Sequence, residues 1–389
     1  MSERLARVSA VVVLCGAALA GMPVAAGALT WTQEKTLSPS SRESLLLEVS
    51  CPSAGECVAV GTYYNATKKR TEPLIERLSG GTWTEESSAS IPSSATSGTL
   101  NGVSCPSSSF CMASGGYIDS TGTQGFAEKY TSVSKKWEEV KPSLPAGASQ
   151  SELDRVSCPS ASMCMIAAVY STGSEVLPFA EKWISPNTTS AEATPYPVAS
   201  KDTALIGVSC VSSTECMAVG YTGKSSTSLT ALSDRWSGGS WAQTTNVSRA
   251  GFSSSRLWGV DCLPGAAVSC TGVGWGTSSG KELAIAEEWT KAGGWLEAAA
   301  KSPSSSVNVL GGVGCTKTCI AVGYATTATE PEVLIERLEG PTATLETPAK
   351  LTGFSKLSGI SCQTAKAECM AVGYYFNGTE TKTLAESGK

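Results

Sequence analysis

The sequence contains no histidine. Imidazole is therefore unavailable as a general base or metal ligand, which removes Ser-His-Asp and Cys-His catalysis. Charge is sparse too: Asp, Glu, Lys and Arg make up 16% of the chain, with a formal net charge of -5. No stripe of Lys and Arg interleaved with aromatics occurs, so neither nucleic acid nor an anionic membrane is an expected partner. Aspartate numbers only five. Asp119-Ser120-Thr121-Gly122 reads as a turn, because it lacks the spaced oxygen ligands of a calcium loop. Also missing is any sustained period of 3.6, whereas Gly, Ser, Thr and Ala abound. That composition suits short strands and tight turns rather than helices.

Cysteine is plentiful, with fifteen residues in 389. The first 28 residues read as an export signal: Arg4 and Arg7 precede an apolar stretch from Val8 to about Ala20, and Ala26-Gly27-Ala28 offers small residues for cleavage. An uncleaved anchor is the alternative, since the stretch is nearly long enough to span a bilayer. No second apolar span follows. Removal of 1–28 leaves fourteen cysteines, and an even number in an exported chain points to disulfides rather than a metal site. Neither a metal nor a cofactor is expected, and the product is expected to be a secreted monomer.

The fourteen cysteines form close pairs: Cys51 and Cys57, Cys105 and Cys111, Cys158 and Cys164, Cys210 and Cys216, Cys262 and Cys270, Cys315 and Cys319, Cys362 and Cys369. Around each pair one pattern recurs, as in LNGVSCPSSSFCMASGGY and LIGVSCVSSTECMAVGY. A self-similar period near 50 residues signals a propeller or a solenoid. Each unit offers four strand candidates separated by turn residues, which is the content of one propeller blade. The expected architecture is all-β: a seven-bladed β-propeller of four-stranded blades over 29–389. The blades fall near 41–92, 93–145, 146–199, 200–247, 248–302, 303–350 and 351–389. The last unit lacks a fourth strand, and residues 29–40 resemble an isolated one carrying Trp31. The N-terminal strand is thus expected to close blade seven and remove the open edge. Pairing each Cys with its close neighbour puts one disulfide in each blade; pairing between adjacent blades is the alternative.

The repeat S-C-[PV]-S-x(3)-C-x-A-V-G resembles that of uncharacterised secreted propeller repeat proteins of the actinobacterial type. The apolar run into Gly and Tyr, with Trp later in the unit, is weakly similar to kelch repeats, although the cysteines and the missing Gly-Gly doublet depart from them. The resemblance implies a propeller fold and carries no activity.

Residues that recur from unit to unit read as architecture. These are the carboxylates Glu76, Glu128, Glu181, Asp234, Glu287, Glu336 and Glu386, and the tryptophans 31, 83, 137, 241 and 295 between blades. Tyr63, Tyr117, Tyr170, Tyr221, Trp275, Tyr324 and Tyr374 close the second strand. The first three sit one residue later than the others and should point to the opposite side of the sheet.

Exceptions to the repeat are the candidates for function. At the innermost strand Leu47, Asn101, Asp154, Ile206, Trp258, Gly311 and Ser358 are equivalent. The next positions are Glu48, Gly102, Arg155, Gly207, Gly259, Gly312 and Gly359, where five glycines suit a crowded channel. Glu48, Asn101, Asp154, Arg155 and Trp258, with Asp261 in place of the usual Ser before the first Cys, form a candidate ligand-binding set expected at one mouth of the channel. The expected function is a non-catalytic binding or scaffold module for a glycan, a cell-wall component or a protein. A glycoside hydrolase using Glu48, Asp154 and Asp261 and a structural protein without ligand are the alternatives. No S-x-D-x-G-x-T-W box of the sialidase type supports catalysis.

Overall fold

The computed structural model describes residues 27–389, apart from 198, 226, 248, 266–267, 327–329, 352 and 364–367. The expected signal segment, 1–28, lies outside the described residues except for its last two positions. Among the described residues there are twenty-eight strands and no helix, hence no helix long and apolar enough to cross a membrane.

The strands fall into antiparallel groups of four, here called units one to seven. Their first strands are Ser44–Ser53, Ser97–Ser107, Gln150–Ser160, Asp202–Ser212, Ser254–Leu263, Asn308–Cys315 and Ser355–Gln363. Each packs beside the first strands of the neighbouring units, and Ser355–Gln363 packs beside Ser44–Ser53. The fourth strand of unit seven is Trp31–Glu34, which pairs antiparallel with Thr381–Gly388 through Trp31 and Gly388 to Glu34 and Ala385. Single parallel pairs, Thr71 with Ser97 and Val176 with Asp202, join two sets of units; no sheet closes on itself.

Every first strand is anchored by one leucine: Leu46, Leu100, Leu153, Leu205, Leu257, Leu310 or Leu357, none more than 1% exposed. Directly after each leucine the register slips, a β-bulge repeated in every unit. A bulge leaves its extra residue outside the ladder and re-aims the side chain. It also explains the glycine of the A-V-G motif. In six units the residue paired with the leucine is Gly61, Gly115, Gly220, Gly274, Gly323 or Gly373. A Cβ there would overlap the carbonyl oxygen of the residue preceding the leucine. Unit three carries Ala168 instead, and its irregularity is wider: Leu153 pairs with Ala168 and the next pair is Val156 with Ile166.

Hydrophobic clusters lie between units rather than within them. Trp83 and Leu46 of unit one pack with Met370 and Val372 of unit seven. Trp137 packs against Val58 and Ile75 of unit one, and Trp31 against Val322 and Ile335 of unit six. Trp241 and Trp295 do the same between units three and four and between four and five. Burying a large aromatic at these seams adds much apolar stabilisation; the seam between units five and six is filled instead by small and aliphatic residues such as Ala286, Leu310 and Ala343.

Seven disulfides join each cysteine to its close neighbour, bridging the first and second strands of one unit with Cα–Cα distances of 4.0 to 4.1 Å. The residue before the first Cys ties a unit to the next in every unit but the sixth, which carries Gly314 there. Ser50, Ser104, Ser157 and Ser209 accept hydrogen bonds from the amides of Cys105, Cys158, Cys210 and Cys262 at 2.9 to 3.0 Å. Ser361 accepts from Cys51 at 3.1 Å.

The recurring carboxylates are buried and tie units together as well. Glu76, Glu128, Glu181, Glu336 and Glu386 accept the amides of Leu37, Ala89, Ser143, Lys301 and Ala349 at 2.5 to 3.1 Å. The basic residues that follow them are engaged elsewhere, as in Arg77 with Glu86 and Arg337 with Glu346. Burial pushes Glu76 up to about 8 and Glu128, Glu181, Asp234, Glu336 and Glu386 up to about 7. Asp234, one methylene shorter than the glutamates, has no hydrogen-bond partner on either oxygen among the described residues.

Candidate functional site

The bulges assemble the site. All seven bulge residues, Leu47, Asn101, Asp154, Ile206, Trp258, Gly311 and Ser358, line one cavity of about 240 Å³ together with Trp275, Tyr324 and Lys356. A second cavity of about 510 Å³ adjoins it and shares Asn101, Asp154, Ile206 and Trp258 as its wall. Its other lining includes Glu152, Asp202, Tyr170 and Tyr221. The alternation of the strand explains the set. Each leucine faces the core, so the residues on either side of it face away from that core.

The candidate residues do not all meet at this mouth, and that corrects the single cluster expected from sequence. Asn101, Asp154, Arg155 and Trp258 line the bulge cavity. Glu48 and Asp261 line a different cavity, toward the cysteine end of the first strands, and Arg155 reaches both. The cause is the pleat: Glu48 sits one residue beyond its bulge and Asp261 three, so neither shares the bulge residues' direction.

Glu48 and Arg155 form an ion pair across the molecule, from unit one to unit three. The Arg155 guanidinium also donates to the Gly311 carbonyl at 3.2 Å and the Ser358 carbonyl at 3.0 Å. Burial lowers it to about 10, so it stays charged at neutral pH. The equivalent glycines leave no room for more: a Cβ on Gly102 would meet the Arg155 Cα at 2.7 Å, and one on Gly359 the Glu48 Cα at 2.7 Å. The pair thus fills the space that five glycines vacate and forms a floor beneath the bulge cavity.

Asp261 does the work of the serine it replaces. Its Oδ2 accepts the Cys315 amide of the next unit at 2.8 Å, and its Oδ1 accepts from Ser209 Oγ and the Cys262 amide. Burial raises it to about 6 against these three hydrogen bonds. The trio Glu48, Asp154 and Asp261 is therefore not assembled as catalytic carboxyls. One is ion-paired, one holds backbone, and only Asp154 opens on the mouth.

The Asp154 carboxyl has no hydrogen-bond partner among the described residues, although its carbonyl accepts from Ser114 Oγ at 2.5 Å. Burial, with Glu152 adding to it, holds the acid well above the usual carboxylate range. Asn101 donates to Glu152 Oε1 and the Leu153 carbonyl, both at 3.2 Å. Trp258 and Trp275 lie with ring centroids 5.0 Å apart.

The aromatics divide as their one-residue offset requires. Tyr63, Tyr117 and Tyr170 pack against the inter-unit clusters. Tyr221, Trp275, Tyr324 and Tyr374 pair with Ala204, Arg256, Val309 and Lys356. The first three of these line the two cavities. Arg256 stands over Trp275 at 4.9 Å and Lys356 over Tyr374 at 4.7 Å. Glu152, Arg256 and Lys356 occupy the position before the leucine, which sequence reasoning overlooked. Strand alternation about the leucine was the signal for them.

No protein-family model and no curated protein matches the chain. Among solved structures, a sialidase of Trypanosoma rangeli in complex with the inhibitor DANA is similar, with a TM-score of 0.50 and 8% identity. The likeness covers 89% of this chain and 55% of that one. The chain therefore spans about half the length of that sialidase. A lectin of Aleuria aurantia, described as a six-bladed β-propeller, aligns with a TM-score of 0.45 and 10% identity, over 79% of this chain and 98% of the lectin. The chain folds as a β-propeller. At these identities the likeness concerns the fold alone.

Proposed function

We propose that the chain is an exported, non-catalytic seven-bladed β-propeller that binds a saccharide at the bulge mouth. One observation carries the reading: seven equivalent bulge positions converge on one cavity, and their side chains differ in almost every unit. Architecture demands sameness from a repeat; a mouth lined by an apolar, amide, acidic and indole side chain serves a ligand. Half-buried indoles beside unpartnered polar groups suit a sugar, whose C–H face stacks on an aromatic while its hydroxyls take hydrogen bonds.

The blade count is supported by the seven four-stranded units. Closure of blade seven by the N-terminal strand is supported by the pairing of Trp31–Glu34 with Thr381–Gly388. Export is supported by the seven disulfides, which persist in oxidising compartments. The test is a glycan array followed by calorimetric titration. Trp258→Ala and Asp154→Asn are each expected to weaken the best ligand about tenfold or more. Retention of no saccharide on the array would overturn the reading.

A further inference from the structure

Charge is not spread evenly around the mouth. Units three and four contribute Glu152 and Asp202, with Asp154 held toward its neutral form beside them; unit seven contributes Lys356 to the lining, and Arg256 of unit five stacks on the lining residues Trp275 and Tyr221. Among the described residues none of these five has an ion-pair partner in the protein. Half-buried acids on the flanks behave differently: Glu86, Glu215 and Glu346 are each bound to an arginine at 2.5 to 2.7 Å. Arg155, the remaining cation at the mouth, is neutralised by Glu48. The cations rest instead on aromatic faces. Arg256 lies between Trp275 and Tyr221, and Lys356 between Tyr374 and Tyr324, at 4.7 to 5.7 Å from the ring centroids. Such stacking orders a cation without cancelling its charge.

Trp258 stands at the division, in the shared wall of both cavities. A sugar lying on it would have one edge toward the acidic cavity and the other toward the cationic one. We propose that the mouth selects a zwitterionic saccharide, one that carries a free amine for the Glu152 and Asp202 side and an acid group for the Lys356 side. This rests on the saccharide-binding reading above and adds the charge of the ligand to it. Neither charge alone satisfies the mouth: a cationic sugar leaves the lysine unpaired, and an anionic one leaves the acids facing each other. Like charges that stay unpaired in a partly desolvated site oppose binding, so the mismatch is a specificity device as well as a source of affinity.

The experiment titrates the full chain with four oligosaccharides of similar length. De-N-acetylated heparosan carries free amines and carboxylates; intact heparosan carries carboxylates only, chitosan amines only, and chitin neither. The zwitterion is expected to bind about tenfold more tightly than each of the other three. Glu152→Gln with Asp202→Asn should abolish its advantage over heparosan, and Lys356→Gln its advantage over chitosan. A salt series on the unaltered protein gives a readout independent of variant folding, because charge-based preference falls as ionic strength rises. Equal binding of chitosan or chitin, or a preference that survives 0.5 M salt (about a 4 Å screening length), overturns the charge assignment. If none of the four binds but a neutral saccharide does, and Trp258→Ala abolishes that, the charge assignment fails while the saccharide reading stands. If no saccharide binds, the saccharide reading itself fails.

Discussion

The two ends of the innermost strands treat the same sevenfold repeat in opposite ways. At the cysteine end six of the seven units are copies: a serine hydroxyl or the Asp261 carboxyl accepts the next unit's cysteine amide, a disulfide follows, and the pattern returns from Ser361 to Cys51, with Gly314 of unit six the exception. At the bulge end the backbone is equally repetitive, but the residues it presents run from Gly311 to Trp258. Only three or four residues of strand separate the two behaviours. Sameness there reports what holds neighbouring units in register; variety here reports what the molecule meets. The bulge makes the contrast possible, since a residue outside the ladder can change without disturbing the pairing on either side.

The largest effect should come from removing the bulge itself. Gly220→Ala drives a methyl into the Ala204 carbonyl oxygen, a backbone clash that no rotamer relieves. A loss of about 3 kcal/mol or more in denaturant unfolding is expected. Ala168→Gly in unit three, where the irregularity is wider, should cost under about 1 kcal/mol, the intrinsic cost of glycine in a strand. Equal losses would show that the bulge does not depend on the glycine.

Next in size is the pH response of the carboxylates that repeat in every unit. In six of them the folded pKa of about 7 to 8 lies above the unfolded value of about 4, and burial raises Glu287 as well. The folded state therefore binds their protons more tightly. The contribution to stability is complete below the unfolded pKa and is lost as pH rises through 7 to 8. Melting temperature should be several degrees higher at pH 6 than at pH 9. Glu336→Gln, which keeps the shape without the charge, should make the decline shallower. A flat profile between these pH values would contradict the burial of the acids as neutral groups.

The floor comes third. Arg155→Met strands Glu48 without a partner and releases the Gly311 and Ser358 carbonyls. Because both side chains keep slight access to solvent, 16% and 10%, the expected loss is about 2 kcal/mol, below that of a fully buried pair. The double variant Glu48→Met with Arg155→Met should recover most of it. Failure to recover would mean that the hydrogen bonds to the carbonyls, rather than the ion pair, hold the floor.

How much of this was legible in the sequence follows the same division. The repeat announced the strands, the cysteine pairing and the structural carboxylates, because seven copies average away local ambiguity. The one-residue offset of Tyr63 and Tyr117 from the later aromatics predicted their departure from the mouth through strand alternation alone, whereas Tyr170, with the same offset, still edges the larger cavity. The bulge was not legible, since an extra residue within a strand has no compositional mark, and every side-chain direction beyond it shifts. Asp154 and Trp258 were found because they lie at the slip. Glu48 and Asp261 were misplaced because they lie after it, and Glu152 and Lys356 were missed because they lie before the leucine.

Asp261 offers the smallest and most discriminating change. It looks functional as the one acid at a serine position, yet its oxygens are all spent on Ser209 and two cysteine amides. Serine at the same place in unit four already makes the equivalent bond, at 3.0 Å to Cys262. Asp261→Ser should therefore alter stability by less than about 0.5 kcal/mol at pH 6 and leave saccharide affinity unchanged. With the acid raised to about 6, the variant should gain relative to the unaltered protein as pH rises, since the charge that ionisation would bury is gone. A loss of binding from this variant alone would move the functional end of the strands from the bulges to the cysteines.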